Sequence, residues 1–340
     1  MNVEKIITLS DDRYYYTAGY YVTNKWVDNE TFIAVRWVDD IKINELVKIS
    51  LPNMTIDVID KNVMSASFSE VYDNKVYYSS SKGFMEFDLN DNTKRCICET
   101  DATDLQLTAD GKYASVFKVK DDGSSDFFRI NIKTGEIEKV HEKMFRKPLN
   151  VANHLMISPT DKDMFFFAHE GETFYISNRL WLYDSKVDKE WNVAKQKLDG
   201  DGAVGDCLGH EMWSPDGKGI YFAKYSCSSI KPAGICYVDI KSGLWECLYS
   251  KYQYWHVGVS SDGRYLTADT QYAPFQSEVV VIDKETGEEF VVDMPYMTGV
   301  HPCHPHPQLS PDNSKVIYTA LDKEQGRTCV KIAYINTDRG

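Results

Sequence analysis

The sequence predicts an all-β fold, a seven-bladed β-propeller, on the strength of two observations. A turn centred on aspartate recurs seven times, 37 to 55 residues apart, and strand-like runs rich in Tyr, Phe, Ile and Val follow these turns. A four-stranded unit of about 40 to 50 residues is the repeat of a propeller blade. No long stretch has the apolar spacing of an amphipathic helix. Seven turns therefore predict seven blades.

The turns are the first element of each repeat and join its first two strands. Six of the seven aspartates are followed by Asn or Gly, and such pairs between apolar runs indicate β-hairpins. A second hairpin signal, Thr-Gly or Ser-Gly, occurs at residues 134–135, 242–243 and 286–287. The seven turn aspartates are Asp28, Asp73, Asp110, Asp161, Asp216, Asp262 and Asp312.

The last repeat is one strand short. Residues 333–336 form its third strand, so we expect an N-terminal strand at residues 5–9 to supply the fourth. That pairing would also cover exposed sheet edges. No stretch has the composition of a linker, and residues 1–340 are therefore predicted to form a single propeller domain.

Composition narrows the functional classes. The net charge of −13 argues against a nucleic-acid partner, which requires basic patches. No apolar run approaches the ~20 residues of a membrane span, and residues 1–20 contain no signal-peptide core. We therefore expect a cytoplasmic protein with no membrane partner. An anionic substrate would need local positive charge or a metal ion.

Histidines recur at one position of the repeat. Four of them lie five residues before the proline of the next turn, or before the serine that replaces it: His154, His210, His256 and His306. In a propeller this position begins the innermost strand, at the channel mouth opposite the turns. Two other repeats carry Ser67 and Asp104 there, so the repeat itself does not require histidine. This favours a metal or catalytic site over a structural ladder of histidines.

Residues 301–307 add further imidazoles. Prolines alternate with His301, His304 and His306 and hold the segment extended, so the three side chains can converge as a metal ion requires. The second strands of two repeats end at the same mouth and place His169, Glu170 and Asp269 there. A third strand begins at this mouth with Arg179. Seven of the eight histidines are thus predicted on one face, with His141 outside it.

Arg179, His169 and Glu170 also have a structural interpretation. A surface ion pair would account for Arg179, and a hydrogen bond that closes a turn would account for the pair His169 and Glu170. Arginine can also hold a carboxylate with two parallel hydrogen bonds, which is the functional alternative for Arg179.

Four motifs resemble those of the oligogalacturonate lyases, which are intracellular pectin-degrading enzymes with a seven-bladed propeller and a Mn²⁺ ion. The resemblance extends from about Phe128 to the C-terminus in the same order. The Ser-Pro-Asp-Gly turn is common to many propellers, and the histidine motifs are more specific. The motifs are residues 168–171 (AHEG), 179–182 (RLWL), 210–217 (HEMWSPDG) and 304–307 (HPHP).

The resemblance implies roles for individual residues. The metal ligands fall on His256, His304 and His306, and His301 stands where the family has a fourth ligand, a glutamine. The general base matches His210, and the substrate-contacting arginine matches Arg179. His154 and His169 also match family histidines, and substrate or supporting roles are expected for them; the same roles are expected for Glu170 and Asp269 from their place at the channel mouth. Mn²⁺ is the expected metal, although four imidazoles would also suit Zn²⁺, Ni²⁺ or Fe²⁺.

The expected activity is metal-dependent β-elimination on short oligogalacturonates or related uronate oligosaccharides, a small acidic substrate class. Residues 1–100 lack the family's His-x-Asn-x-Tyr segment, so another uronate is also compatible with the sequence. Two alternatives remain. One is a metal-dependent hydrolase, epimerase or isomerase acting on a sugar acid, and the other is a propeller that only binds partners.

Overall fold

The computed structural model describes residues 1–20, 24–38, 44–64, 69–272, 275–297 and 304–337. These residues form 28 β-strands and contain no helix. Within the described ranges, no helical segment could cross a bilayer. The described chain divides into two compact units. The terminal unit comprises residues 1–99 and 256–340, and the central unit comprises residues 100–255. That residues 1–340 form one domain stays a prediction.

The terminal unit begins with one strand at the N-terminus, and two groups of four strands follow it. The first group and the second pair at one point, Val63 with Ser80. The strands are β1 (Asn2–Leu9), then β2 (Tyr15–Thr17), β3 (Thr31–Trp37), β4 (Asn44–Ser50) and β5 (Thr55–Val63), then β6 (Ser69–Tyr72), β7 (Lys75–Ser80), β8 (Gly83–Asp88) and β9 (Thr93–Cys98).

The central unit consists of three antiparallel four-stranded sheets, each ordered as in the chain. The first sheet is β10 (Thr103–Leu107), β11 (Tyr113–Val119), β12 (Ser125–Asn131) and β13 (Ile137–Lys143). The second is β14 (Ala152–Ile157), β15 (Met164–His169), β16 (Leu180–Asp184) and β17 (Lys189–Asn192). The third is β18 (Leu208–Trp213), β19 (Gly219–Lys224), β20 (Gly234–Asp239) and β21 (Trp245–Tyr249).

Two further sheets follow. One is β22 (Tyr254–Val259), β23 (Tyr265–Thr270), β24 (Val279–Asp283) and β25 (Glu288–Asp293). The other contains β26 (Gln308–Leu309), β27 (Lys315–Asp322) and β28 (Arg327–Asn336). Its fourth strand is β1, which pairs antiparallel with β28 from Asn2 to Leu9. The prediction that an N-terminal strand completes the last sheet is confirmed, and the described strands make seven groups of four.

In the third sheet of the central unit, the first two strands are the most buried and the fourth is the least buried. All six residues of β18 and of β19 are buried, whereas β21 alternates between half-buried and exposed. That the first strand of each repeat is the innermost one stays a prediction. Alternating exposure on the last strand is typical of a sheet edge that faces water.

The turn aspartates form these hairpins as predicted. In the third sheet of the central unit, the Asp216 carboxylate accepts hydrogen bonds from Ser214 Oγ (2.7 Å) and from the backbone N–H of Lys218 (3.1 Å). In the β6–β7 hairpin, Asp73 and Asn74 have φ of 49° and 55°, which matches the type I′ turn of a tight hairpin. The side chain of the aspartate therefore stabilises the turn that the repeat requires.

A β-bulge marks the repeat position of the histidines. The pairing of β10, β14 and β18 with their neighbours shifts between residues 103 and 106, 153 and 156, and 209 and 212. In each bulge one residue adopts a left-handed backbone, with φ of 63° at Asp104, 55° at His154 and 52° at His210; His306 has φ of 42°. Non-glycine residues rarely adopt this conformation, and bulges re-aim side chains beside active sites.

Candidate active site

The terminal unit brings three histidines together, which we call the imidazole cluster: His256, His304 and His306. Their ring centroids are 3.9 Å apart for His256 and His306, 5.5 Å for His256 and His304, and 6.1 Å for His304 and His306. Nitrogen atoms of His256 and His306 that could bind a metal lie within 4.8 Å of each other. All three residues are at most 3% exposed.

Asp269 on β23 makes hydrogen bonds with two residues of the imidazole cluster, His256 and His306. Its carboxylate accepts a hydrogen bond from His256 Nδ1 (2.9 Å) and from the backbone N–H groups of His256 (3.1 Å) and His306 (2.9 Å). Burial raises the pKa of Asp269 to about 6, against the opposing effect of His306 and its N–H. With its proton on Nδ1, His256 carries its lone pair on Nε2. This is the carboxylate–histidine arrangement that supports metal ligands.

The donor set of the imidazole cluster fits a divalent cation. Neutral imidazoles suit first-row transition metals, and a buried site shields the ion from water. His256, His304 and His306 are the predicted ligands that the structure places together. The fourth predicted ligand, His301, lies outside the described residues.

The central unit contains a second group, which we call the arginine–carboxylate cluster: Arg179, Glu170, Glu211 and His154. Arg179 immediately precedes β16, and its backbone N–H donates to Gln196 Oε1 at 2.6 Å. Its Nε donates to Glu211 Oε1 at 2.7 Å, and Nη1 approaches Glu170 Oε2 at 3.2 Å. The Arg179 side chain is 5% exposed and that of Glu211 is fully buried. The ion pair expected as the alternative for Arg179 exists, but it is buried rather than on the surface.

His154 lies between the two carboxylates of this cluster. Its Nδ1 is 3.5 Å from Glu211 Oε2, and its Nε2 is 3.6 Å from Glu170 Oε2. Burial alone would raise the pKa of Glu211, but the charge of Arg179 and the contact with His154 lower it to about 2. The pKa of Glu170 is also lowered, since Arg179 and His154 outweigh its burial. Both carboxylates are therefore ionised at neutral pH and hold Arg179 in place.

The ion pairs with Glu170 and Glu211 limit the number of Arg179 nitrogen atoms that can bind a substrate. Two of its three nitrogens, Nε and Nη1, already serve carboxylates of the protein. Within the described ranges, Nη2 makes no hydrogen bond. That Arg179 holds a substrate carboxylate with two parallel hydrogen bonds stays a prediction.

His169 makes the hydrogen bonds that its structural interpretation requires. Its Nδ1 lies 2.8 Å from Asn178 Oδ1 and its Nε2 lies 2.7 Å from the Leu149 carbonyl oxygen. The ring stacks on Phe145 with centroids 3.7 Å apart. Both ring nitrogens thus bind groups of the protein and hold the segment between β15 and β16.

His210 and Asp104 occupy matching bulges of the central unit. His210 is 3% exposed on β18. Asp104 lies on β10, where burial raises the pKa of its carboxyl to about 7 while a hydrogen bond with Thr103 opposes the shift. Of the two repeats that carry Asp104 or Ser67 in place of histidine, one therefore has a half-buried acid there. The other, with Ser67, lies outside the described residues.

Glu211 is a member of the arginine–carboxylate cluster that the sequence did not predict. It is adjacent to His210 within the HEMW motif, and this adjacency was the available signal. Its partner Arg179 is 32 positions earlier in the chain. No local pattern links two residues at that separation, so the ion pair could not be inferred from the sequence.

These strands and their sheets define a propeller, and comparison with solved structures agrees. An oligogalacturonate lyase solved in complex with manganese superposes with a TM-score of 0.82 at 16% identity, covering 98% of this chain and 93% of the other. An oligogalacturonate lyase from Vibrio parahaemolyticus gives 0.80 at 15% identity, with 98% and 94% covered. The predicted all-β, seven-bladed β-propeller fold is confirmed.

Sequence comparison identifies the family. The family model described as oligogalacturonate lyase matches residues 54–337, well over half of the chain. An oligogalacturonate lyase from Dickeya dadantii strain 3937 is 25% identical over 210 residues, which is 56% of this chain and 51% of the relative. An oligogalacturonide lyase from Pectobacterium atrosepticum is 24% identical over 217 residues, with the same coverage. The chain spans about half the length of these curated relatives. It belongs to the oligogalacturonate lyase family, as the motifs predicted.

Proposed function

We propose that this protein is a metal-dependent lyase that cleaves short oligogalacturonates, or related uronate oligosaccharides, by β-elimination in the cytoplasm. The observation that carries the proposal is the imidazole cluster with Asp269 bound to His256 Nδ1. An interaction propeller has no need of three buried imidazoles supported by a carboxylate. Family membership supplies the substrate class.

The metal in this proposal is a divalent cation held by His256, His304 and His306. A bound divalent cation would act as a Lewis acid on the uronate carboxylate and stabilise the charge that develops when the neighbouring proton is lost. Mn²⁺ is the first candidate, because a solved relative contains manganese. His301 remains part of the proposal as a fourth ligand.

His210 is the proposed general base. β-Elimination transfers the proton on C5 of the uronate to the base, forms the C4–C5 double bond and breaks the bond from C4 to the leaving oxygen. A neutral imidazole can accept a proton near neutral pH, and burial of His210 keeps bulk water from competing for it. The left-handed backbone of the bulge sets the direction of this side chain.

Arg179 is the proposed substrate-binding cation. Glu211 and Glu170 fix its guanidinium, so Nη2 would be presented to the substrate with little loss of side-chain entropy. His154, which contacts both carboxylates, would hold the same cluster in position. His169 would support the segment that leads to Arg179.

The test is a continuous ultraviolet assay for the conjugated double bond of the product. The protein, loaded in turn with Mn²⁺, Zn²⁺, Ni²⁺ or Fe²⁺, is mixed with di- and trigalacturonate. We expect absorbance to rise with at least one metal and to stay flat after chelation. A flat trace with every metal would exclude galacturonate β-elimination, and a sugar product without a double bond would instead indicate a hydrolase, epimerase or isomerase.

The base assignment has its own control within the chain. His210→Ala should lose at least about 10²-fold in kcat, the usual contribution of a positioned base. His141→Ala should keep wild-type kcat, because His141 bonds Glu190 and stacks on Tyr183 at 4.1 Å, outside both clusters. Full activity of His210→Ala would disprove the assignment.

A further inference from the structure

The central unit contains two cavities beside β19 and β20, of about 410 Å³ and 370 Å³. Both are lined by Lys224, Lys231 and Pro232, so they adjoin. We call the combined space the lysine-lined groove. Five lysines line it: Lys195, Lys197, Lys224, Lys231 and Lys251.

The charge of this groove is opposite to that of the chain. The protein carries 51 acidic and 38 basic residues, yet Asp206 and Glu246 are the only acidic residues among those that line the groove. Asp206 is fully buried and already neutralised. It contacts Lys224 Nζ at 2.6 Å and accepts the backbone N–H of Lys197 at 2.7 Å. Apart from that pair, the residues that line the groove include four lysines and one carboxylate, Glu246, so the lining has a net positive charge that attracts anions.

Aromatic rings lie among these lysines. The indole of Trp245 is oriented by a hydrogen bond from Nε1 to the Lys195 carbonyl oxygen, 3.0 Å, and Lys224 Nζ lies 5.6 Å from the ring centroid. Tyr252 and Tyr254 line the smaller cavity. Aromatic faces pack against the apolar faces of sugar rings, while ammonium groups bind their carboxylates. The combination suits an acidic saccharide better than a bare inorganic anion.

The groove continues from the strand that carries the proposed base. Lys224, at the end of β19, pairs with Leu208, two residues before His210 on β18. The next residue, Tyr225, packs against Gly209 so closely that a Cβ there would lie 2.3 Å from the tyrosine hydroxyl. One strand pair within one sheet thus links the groove to His210.

We propose that the lysine-lined groove binds additional uronate units of an acidic oligosaccharide, so that longer substrates bind more tightly than the disaccharide. This inference rests on the proposed lyase function. It adds a binding site for substrate length that lies outside the imidazole and arginine–carboxylate clusters.

The test compares two double variants on substrates of different length. Lys197→Ala/Lys231→Ala removes two charges from the groove. Lys218→Ala/Lys241→Ala removes two exposed charges from the same sheet that do not line the groove, so the change in net charge is the same. We expect the groove variant to raise KM for tetragalacturonate about tenfold, with kcat and the KM for digalacturonate unchanged. The control variant should match the wild type on both substrates.

Three outcomes would overturn the proposal: no change in KM, an equal rise for both substrates, or an equal rise in both double variants. A binding measurement keeps the test independent of turnover. The indole N–H signal of Trp245 is followed by NMR as saturated trigalacturonate, maltotriose or inorganic phosphate is added. A shift of the Trp245 signal with trigalacturonate alone supports uronate binding in the lysine-lined groove, even if the lyase assay is negative. A response to phosphate at equal charge concentration, or no response at all, contradicts the uronate assignment.

Discussion

The imidazole cluster and the arginine–carboxylate cluster use the same repeat position for different chemistry. His306 and His154 both have a left-handed backbone at the matching point of their repeats. His306 packs against His256 beside one buried carboxylate, whereas His154 lies between two ionised ones. The fold sets the backbone position of each histidine. The residues around the histidine then decide whether its side chain is suited to bind a cation or to hold the carboxylates that pair with Arg179.

The charge balance of the two clusters explains this difference. The imidazole cluster has three imidazoles and one carboxylate, Asp269, a set of side chains that suits a divalent cation. The arginine–carboxylate cluster contains its own cation, Arg179, bound by Glu211 and Glu170. A buried charge is tolerated only when it is paired. The arginine–carboxylate cluster therefore contains both members of its ion pairs, whereas we propose that the imidazole cluster binds a cation from solution.

The largest expected effect is the loss of a metal ligand. His306→Ala should abolish bound metal and lower kcat/KM by about 10³-fold or more, since Lewis-acid stabilisation is worth several kcal/mol. Elemental analysis of the purified variants and the ultraviolet assay measure both quantities. His154→Ala is the matched variant at the same repeat position and should retain its metal. If both variants lost metal equally, the two clusters would not be distinct in function.

The buried ion pair gives the next effect. Glu211→Gln should lower the free energy of unfolding by about 3 kcal/mol, because it leaves Arg179 buried with a weaker partner. Urea titration measures this loss. Glu170→Gln should cost less than about 1 kcal/mol, because Glu170 is 37% exposed and water can replace it. Equal losses of unfolding free energy in the two variants would mean that the burial of the carboxylate does not set the strength of its ion pair with Arg179.

The same pair predicts a pH dependence. The pKa of Glu211 falls from 4.5 to about 2 on folding, so its contribution to stability is complete above pH 4.5 and disappears as the pH falls through 2. The difference in unfolding free energy between the wild type and Glu211→Gln should therefore shrink over that interval. A difference that stayed constant down to pH 2 would contradict the ion pair.

The supporting carboxylate should have an intermediate effect. Asp269→Asn is expected to weaken metal affinity 10- to 100-fold, the usual consequence of removing a carboxylate behind a ligating histidine. Competition with a chelator measures the affinity. Asp283→Asn is the control, because Asp283 is also buried and lies on β24 of the same sheet. A similar loss in both variants would indicate general destabilisation.

Asp104 should give the smallest effect and the opposite pH trend to Glu211. Its pKa rises from 3.8 to about 7 on folding, so ionisation destabilises the folded state as the pH rises from 4 to 7. Asp104→Asn should be more stable than the wild type by about 1 to 2 kcal/mol at pH 8, with no gain at pH 4, because partial exposure limits the effect. Thermal unfolding at the two pH values measures it, and a gain independent of pH would contradict it.

Much of the site's framework could be predicted from the sequence. The turn aspartates gave the repeat, and counting five residues back from each turn placed His154, His210 and His306 at one position, which the shared left-handed backbone supports. These inferences succeeded because hairpins and bulges depend on short-range contacts. The ion pair of Glu211 with Arg179 escaped prediction, since its residues lie on different sheets of the central unit.

The sequence by itself determined the number of strands in the repeat, the pairing of β1 with β28 and the family. Local periodicity and motif order carry that information. Only the tertiary structure decided that Arg179 is held by two carboxylates, that His169 closes a turn, and that lysines from three separate segments line one groove. The physical reason is that burial and Coulomb interaction depend on distance in space, and distance along the chain does not determine it.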